Sequence, residues 1–372
     1  MDFSLTDEQQ AIQDTFHSFA AREIRPAARE LDESPRFPRE LFQKAGELGF
    51  FGMRYPEPEG SGADIFSYLL AVEEIAWGSL AVAAACTMQS LMGTYFVHKL
   101  TSGELRQRLL GPALAGKRVG TICMTEPNAG SDLFGIRTHA REQGGAWVLS
   151  GQKTWITSAP VADMFTVFAR TGDRELSLFL VERGAAGLEV GRAIEKMGVR
   201  ASLTSEVSFD ETPATCLLGE VGKGTTYLRE ILAEIRLMAA ALSLGVARAA
   251  AEDAVAYAAE RQQFGKPINR FQAVQLHLAD NAVELEAARR MMQWAAWRSQ
   301  QGLPNDNEAS MAKLFASEAA ARICDRAARV LASYGFASDY PVQRYLRDVR
   351  FTLIGGGTSE ILRVNIARGI GR

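Results

Sequence analysis

The chain has 372 residues, 47% of them hydrophobic and 23% charged, with a formal net charge of −3. That length allows two or three domains with sizeable cores, and the near-neutral balance gives no footing for nucleic acid or an anionic membrane. Cys86, Cys123, Cys216 and Cys324 are far apart with no CxxC pair, no run of 18 apolar residues occurs, and MDFSLTDEQQ does not read as a signal peptide, so a reducing, cytoplasmic setting is expected.

Residues 1–118 read as helix. Thr6 followed by Gln9 fits a capping box, and Ile12, Phe16, Phe19 and Ile24 recur at helical spacing. Pro38 is placed to open a further helix, YPEPEGSGAD (55–64) is a loop, and an Ala/Leu-rich helical pattern resumes from Ile65 to Leu114.

Near Gly120 the texture changes. Short β-rich runs follow at 119–124, 146–151, 153–157, 165–170, 176–182 and 205–210, punctuated by Gly, Asp and Pro. They predict a compact antiparallel β domain over 119–222. Long Ala-rich helices are then expected at about 225–260, 270–300, 307–334 and 340–350, giving a third, helical domain over 223–372. The fold class is therefore α+β in the order α, β, α; strands do not alternate with helices, which argues against a doubly wound nucleotide fold.

Two glycine-rich stretches resemble phosphate loops without qualifying. GEVGKGTT (219–226) has Gly224 where Ser or Thr must follow the Lys, and GGGTSE (355–360) lacks the third glycine and a preceding strand. His17, His98, His139 and His277 show no metal-ligand spacing, and no serine sits in GxSxG.

Three segments carry more. CMTEPNAGSD (123–132) closes a strand with a polar turn; KTWITSA (153–159) flanks a Trp with hydroxyls; ERQQFGKPI (260–268) pairs with YGFASDYPVQRYLRDVR (334–350). Together, over the whole chain, these resemble the acyl-CoA dehydrogenase flavoprotein family. The resemblance implies an N-terminal helical domain, a middle β domain and a C-terminal helical bundle, with FAD between the last two. It implies α,β-dehydrogenation of an acyl-CoA thioester: a base takes the α proton, a hydride leaves Cβ for flavin N5, and an electron-transfer flavoprotein takes the electrons.

Carried over position by position, the resemblance puts Thr125 and Ser131 beside the flavin, with backbone groups of Ile122 to Met124. Trp155 packs along the ring and Thr157 reaches toward N5. Arg261, Phe264, Phe271 and Gln272 match contacts to the pyrophosphate and adenine end supplied by a neighbouring subunit, which implies a homodimer or a dimer of dimers. Arg329 to Ser333 match a segment usually led by Gln. Thr358 and Glu360 join the cofactor set, and Ser131, Arg236 and Gly357 the substrate set.

The base is the departure. In many members it is the Glu of a Tyr-Glu-Gly-Thr turn; here those first two positions are Gly355 and Gly356. The Gly356 amide still provides the donor that, in the family, meets the thioester carbonyl. Some relatives carry the Glu on the first long C-terminal helix just before an Arg, and that position is Ile235, next to Glu234. One helical residue turns a side chain by about 100°. Glu234 is thus the candidate base if the helix is locally irregular, and otherwise a salt-bridged helix residue. The residues also leave open a base-deficient subunit of a hetero-oligomer, other flavin chemistry, or a carrier-protein thioester. Gly356→Glu is expected to restore dehydrogenation if the turn is otherwise intact.

Overall fold

The computed structural model describes residues 4–370. The N-terminal domain is helical: α1 (Asp7–Phe19), α2 (Arg25–Glu33), α3 (Arg39–Glu47), α4 (Ile65–Gly78), α5 (Leu80–Thr87), α6 (Tyr95–Leu100) and α7 (Gly103–Leu114). The capping box at α1 is present, Thr6 accepting from Gln9 N–H and Gln9 reaching back to Thr6 N–H. Pro38 lies one residue before its expected place, as the cap of α3. By length and composition Leu80–Leu100 could cross a membrane, yet 83% of its most apolar window is buried as domain core.

The middle domain is an eight-stranded sheet in the order β6-β7-β3-β2-β4-β5-β8, with β1 on β4. Its strands are β1 (Gly120–Cys123), β2 (His139–Gln143), β3 (Ala146–Thr157), β4 (Met164–Arg170), β5 (Leu176–Glu182), β6 (Leu188–Val190), β7 (Thr204–Pro213) and β8 (Cys216–Leu218). It is not purely antiparallel, because β1 runs parallel to β4 from Gly120↔Met164 to Cys123↔Val167. The runs expected at 146–151 and 153–157 are one strand, and β2, β6 and β8 had no separate signal in the sequence. In β4 and β5 every residue but the last is buried, so both faces of the sheet centre are covered and no in–out alternation shows.

The C-terminal domain comprises α8 (Gly224–Glu260), the two-residue strands β9 (Gln262–Gln263) and β10 (Lys266–Pro267), α9 (Gln272–Gln300), α10 (Asp306–Leu331), α11 (Val342–Asp348) and α12 (Ser359–Ile370). The fold is that of N-terminal helical, middle β-sheet and C-terminal helical domains. Helix α8 crosses α4 so closely that a Cβ on Gly245 would lie 2.4 Å from Glu73 O. Two buried carboxylates at that crossing are both answered: Arg289 Nη2 lies 2.8 Å from Glu73, and Arg248 Nη2 lies 2.5 Å from Glu74. Burial works against the Arg248 charge, but Glu73 and Glu74 outweigh it and hold the guanidinium above its ordinary pKa.

Candidate active site

The sequence-derived site residues fall into three groups. The first is at the end of β1 and the middle of β3. Ile122 is buried in the sheet opposite Thr166. The chain then leaves the sheet through Met124 and Thr125, and β3 holds it there: Thr154 N–H donates to Thr125 O at 2.9 Å, and Lys153 Nζ to Met124 O at 3.2 Å. Lys153, fully buried, also meets Glu126 at 2.8 Å, and Glu126 accepts from the Arg137 and Thr138 amides. Burial alone would raise the Glu126 pKa, but those amides and Lys153 hold it below the ordinary carboxylate value. Sequence patterns did not single out this pair; a Glu and a Lys inside apolar strand-end segments were the available signal.

The register of β3 against β7 slips between Lys153 and Ile156, and Trp155 sits in that bulge at φ 58°. A left-handed, non-glycine residue costs about 1–2 kcal/mol. In return the bulge turns the indole outward, 57% exposed, while Lys153 and Ile156 on either side are buried. Thr157 O accepts from Thr121, and the next residue, Ser158, has a buried hydroxyl with no partner. Ser131 is exposed in the loop after Thr125. A presented aromatic face beside unused hydroxyls suits a flat heteroaromatic group with a polar edge.

The second group is the glycine turn against α8. A Cβ on Gly356 would lie 3.2 Å from Ala239 Cβ and 3.9 Å from Ile235 Cγ2, so the turn faces an apolar patch of the helix. Gly356 has φ +73° and Gly357 φ +104°. The turn is therefore built for glycine, and Gly356→Glu meets both strain and Ala239, contrary to a simple restoration. Nor is the space opened by two glycines wide, since a Cβ on Gly355 would come within 2.9 Å of the Phe351 ring. Gly355 N–H donates to Phe351 O, whereas among the described residues no acceptor takes Gly356 N–H. Thr358 caps α12 by accepting from Ile361 N–H, and Glu360 is exposed in its first turn.

Helix α8 is regular throughout, with no irregularity at Glu234. The Glu234 carboxylate is held by Arg54, at 2.6 Å to Nη2 and 3.4 Å to Nε, and Arg54 also donates to Ala63 O. Arg236 is 7% exposed; its Nη1 donates to Asp306 O at 3.2 Å, and its buried Nε has no partner among the described residues. Lys313 of α10, fully buried, donates to Gly357 O at 2.6 Å. Sequence patterns did not point to Lys313, whose signal was a lone cation on the apolar face of an Ala-rich helix.

The third group stands at the other end of α8. Arg261 caps that helix and lies over the Tyr334 ring, next to Ser333; Phe264, 91% exposed, packs edge-on to Phe271, which precedes Gln272 at the start of α9. Arg329 pairs with Asp325 on the exposed face of α10. The 25 residues from Arg236 to Arg261 span roughly 37 Å of helix.

Three family models match nearly the whole chain: the acyl-CoA dehydrogenase N-terminal domain at residues 6–117, the middle domain at 121–212 and the C-terminal domain at 222–371. The chain belongs to the acyl-CoA dehydrogenase family. It is an acyl-CoA dehydrogenase, an oxidoreductase of CH–CH bonds, and the family is FAD-dependent. Benzylmalonyl-CoA dehydrogenase of Aromatoleum aromaticum is 60% identical over 99% of each chain. Butyryl-CoA dehydrogenase of Megasphaera elsdenii superposes with a TM-score of 0.95 at 34% identity, covering all of both chains. PigA, solved with FAD and proline, gives 0.96 at 28% identity over 100% of this chain and 99% of its own.

Proposed function

We propose that this acyl-CoA dehydrogenase oxidises 2-carboxyacyl-CoA thioesters, that is substituted malonyl-CoAs, with loss of the 2-carboxylate as CO2. The observation that carries the reading is the glycine turn, which offers a free amide and no acid: Gly356 stands where the family's Glu is expected, against Ile235 and Ala239. A saturated acyl thioester must give its α proton to a base. A 2-carboxyacyl thioester need not. Its Cα–CO2 bond breaks, the electron pair stays as the enolate and then becomes the new C=C bond, and a hydrogen leaves Cβ with its own electron pair. The balance is one CO2 released and a two-electron oxidation, with no α proton removed. The 60% identical relative is named for a substrate of this class, a malonyl-CoA with a benzyl group.

The chain's own groups divide the work. Gly356 N–H is available to donate to the thioester oxygen as negative charge develops on it, the kind of preorganised donor that often contributes most to catalysis. The apolar patch of Ile235 and Ala239 gives the carboxylate no hydrogen bonds, so its departure is not opposed. FAD, held by Trp155, Thr157, Thr125, Ser131 and the Ile122–Met124 backbone, supplies the two-electron acceptor when bound. The Arg261 group, roughly 37 Å of helix from Arg236, serves the neighbouring subunit's cofactor with Gln272, Arg329 and Ser333 in a dimer or dimer of dimers. Electrons pass on to an electron-transfer flavoprotein in the cytoplasm.

The test is anaerobic flavin bleaching with benzylmalonyl-CoA carrying ¹³C in its free carboxylate. One ¹³CO2 per flavin reduced is expected, with no bleaching by 3-phenylpropanoyl-CoA. Bleaching without CO2, or faster bleaching by the saturated thioester, would falsify the reading and point back to a protein base. Glu234→Gln separates the two: held in an ion pair with Arg54, Glu234 is expected to change turnover by less than about fivefold, as for a partly exposed pair worth under about 1 kcal/mol. A loss on the order of 10² at normal FAD content would make Glu234 the base. Turnover by the purified homomer would exclude the need for a base-bearing partner chain.

A further inference from the structure

Two buried cations have no buried carboxylate as ion-pair partner among the described residues: Lys313 of α10 holds the glycine turn at Gly357 O, and Arg236 of α8 is one residue along from Ile235, which faces Gly356. Among the described residues, the one carboxylate that Arg236 of α8 approaches is Asp306, at 3.9 Å, whose side chain is 78% exposed to solvent that screens it. Lys313 of α10 is fully buried, and among the described residues its one acceptor is the Gly357 carbonyl. At the α4–α8 crossing, by contrast, each buried carboxylate is matched by its own arginine. Two unmatched cations are costly, since an ion taken out of water without a partner loses several kcal/mol of solvation. Burial pushes the Lys313 ammonium down to about 8, with Glu318 and Glu360 opposing and Arg236 adding to the fall.

Resting on the decarboxylative reading, we infer that Arg236 and Lys313 form a cationic seat that selects substrates bearing a 2-carboxylate. The substrate brings the anion that the protein withholds. The attraction acts through the field of the two cations, because the patch directly facing the turn is Ile235 and Ala239. That arrangement also suits CO2 loss. The negative charge is not lost when the Cα–CO2 bond breaks but moves toward the thioester oxygen, so the field that bound the carboxylate stays favourable for the enolate. A hydrogen-bonded partner fixed on the carboxylate would instead resist its departure.

The seat is tested with two ligands that differ only in the carboxylate. Benzylmalonyl-CoA is followed as substrate, through its KM, and 3-phenylpropanoyl-CoA as competitive inhibitor, through its Ki. Arg236→Gln is expected to raise the KM at least tenfold, to leave the Ki within twofold, and to be largely rescued by Arg236→Lys. In the wild type, the same KM is expected to rise above pH about 8 as Lys313 loses its proton, with the Ki unchanged. The groups facing Lys313 are Glu318 on its own helix, Glu360 of α12 and Arg236 of α8. Equal changes in KM and Ki, or none in either, overturn the seat. Should Arg236→Gln fail to bind FAD, the wild-type pH comparison decides alone. Wild-type turnover without CO2 overturns the function itself, whereas CO2 release with an unaltered KM/Ki ratio overturns only the seat.

Discussion

Ile235→Glu is expected to exchange one reaction for the other. Ile235 is 5% exposed on a regular helix, and its Cγ2 lies 3.9 Å from where a Gly356 Cβ would stand. A Glu there costs no backbone strain and sets a carboxylate beside the turn, in the field of Arg236 and Lys313. A positioned base contributes on the order of 10² to 10⁴ in rate, so oxidation of saturated acyl-CoA should rise by about that factor over the wild-type background. The same carboxylate repels the substrate's own. Two charges about 4 Å apart interact by about 4 kcal/mol at the effective dielectric of a protein surface, so 2-carboxyacyl-CoA turnover should fall by at least about 10². Gly356→Glu should do this less well, because its φ of +73° costs a side chain about 1–2 kcal/mol and Ala239 stands 3.2 Å away. Steady-state rates with both thioesters decide the matter. An Ile235→Glu protein that keeps its FAD, still releases CO2 at the wild-type rate and leaves saturated thioesters untouched would show that the base position lies elsewhere.

Lys153→Met is expected to be the most destabilising single change in the middle domain. Lys153 and Glu126 are both at most 2% exposed in their side chains, and together they fix Met124 and the start of the polar turn. Removing one member of a buried ion pair costs about 3–5 kcal/mol, because the other is left charged in the interior. Here Glu126 would keep the two amides of Arg137 and Thr138 but lose the one cation it has among the described residues. Melting temperature and the ratio of flavin to protein absorbance should fall together, since the same contacts carry Thr125 and the strand of Trp155. Adding Glu126→Gln to Lys153→Met should recover part of the stability. A melting temperature unchanged within a degree would mean that solvent reaches the pair.

Much of the molecule was legible from local pattern. The capping box at Thr6 needs only residues three apart, and long runs of small apolar residues make helices such as α8 whatever surrounds them. The motifs at 123–132 and 153–159 were readable for the same reason, since a polar turn after a strand and a Trp among hydroxyls are contiguous features. Residues 146–157 were not legible as one strand, because the bulge that exposes Trp155 is a register slip against β7, some fifty residues away. The parallel pairing of β1 with β4 is likewise a property of two distant segments.

Three domains, a polar turn after a strand and a turn with no acid in it can be read along the chain. What stands around that turn follows from packing between distant segments. Glu234 and Arg236 are two residues apart on one helix, yet one carboxylate closes on Arg54, 180 positions earlier, while the guanidinium reaches the start of α10, the helix whose Lys313 holds Gly357 O. Charge compensation in a protein is settled by distances of a few ångströms through space. Which ions are matched, and which are left to meet a substrate, follows from packing rather than from spacing along the chain.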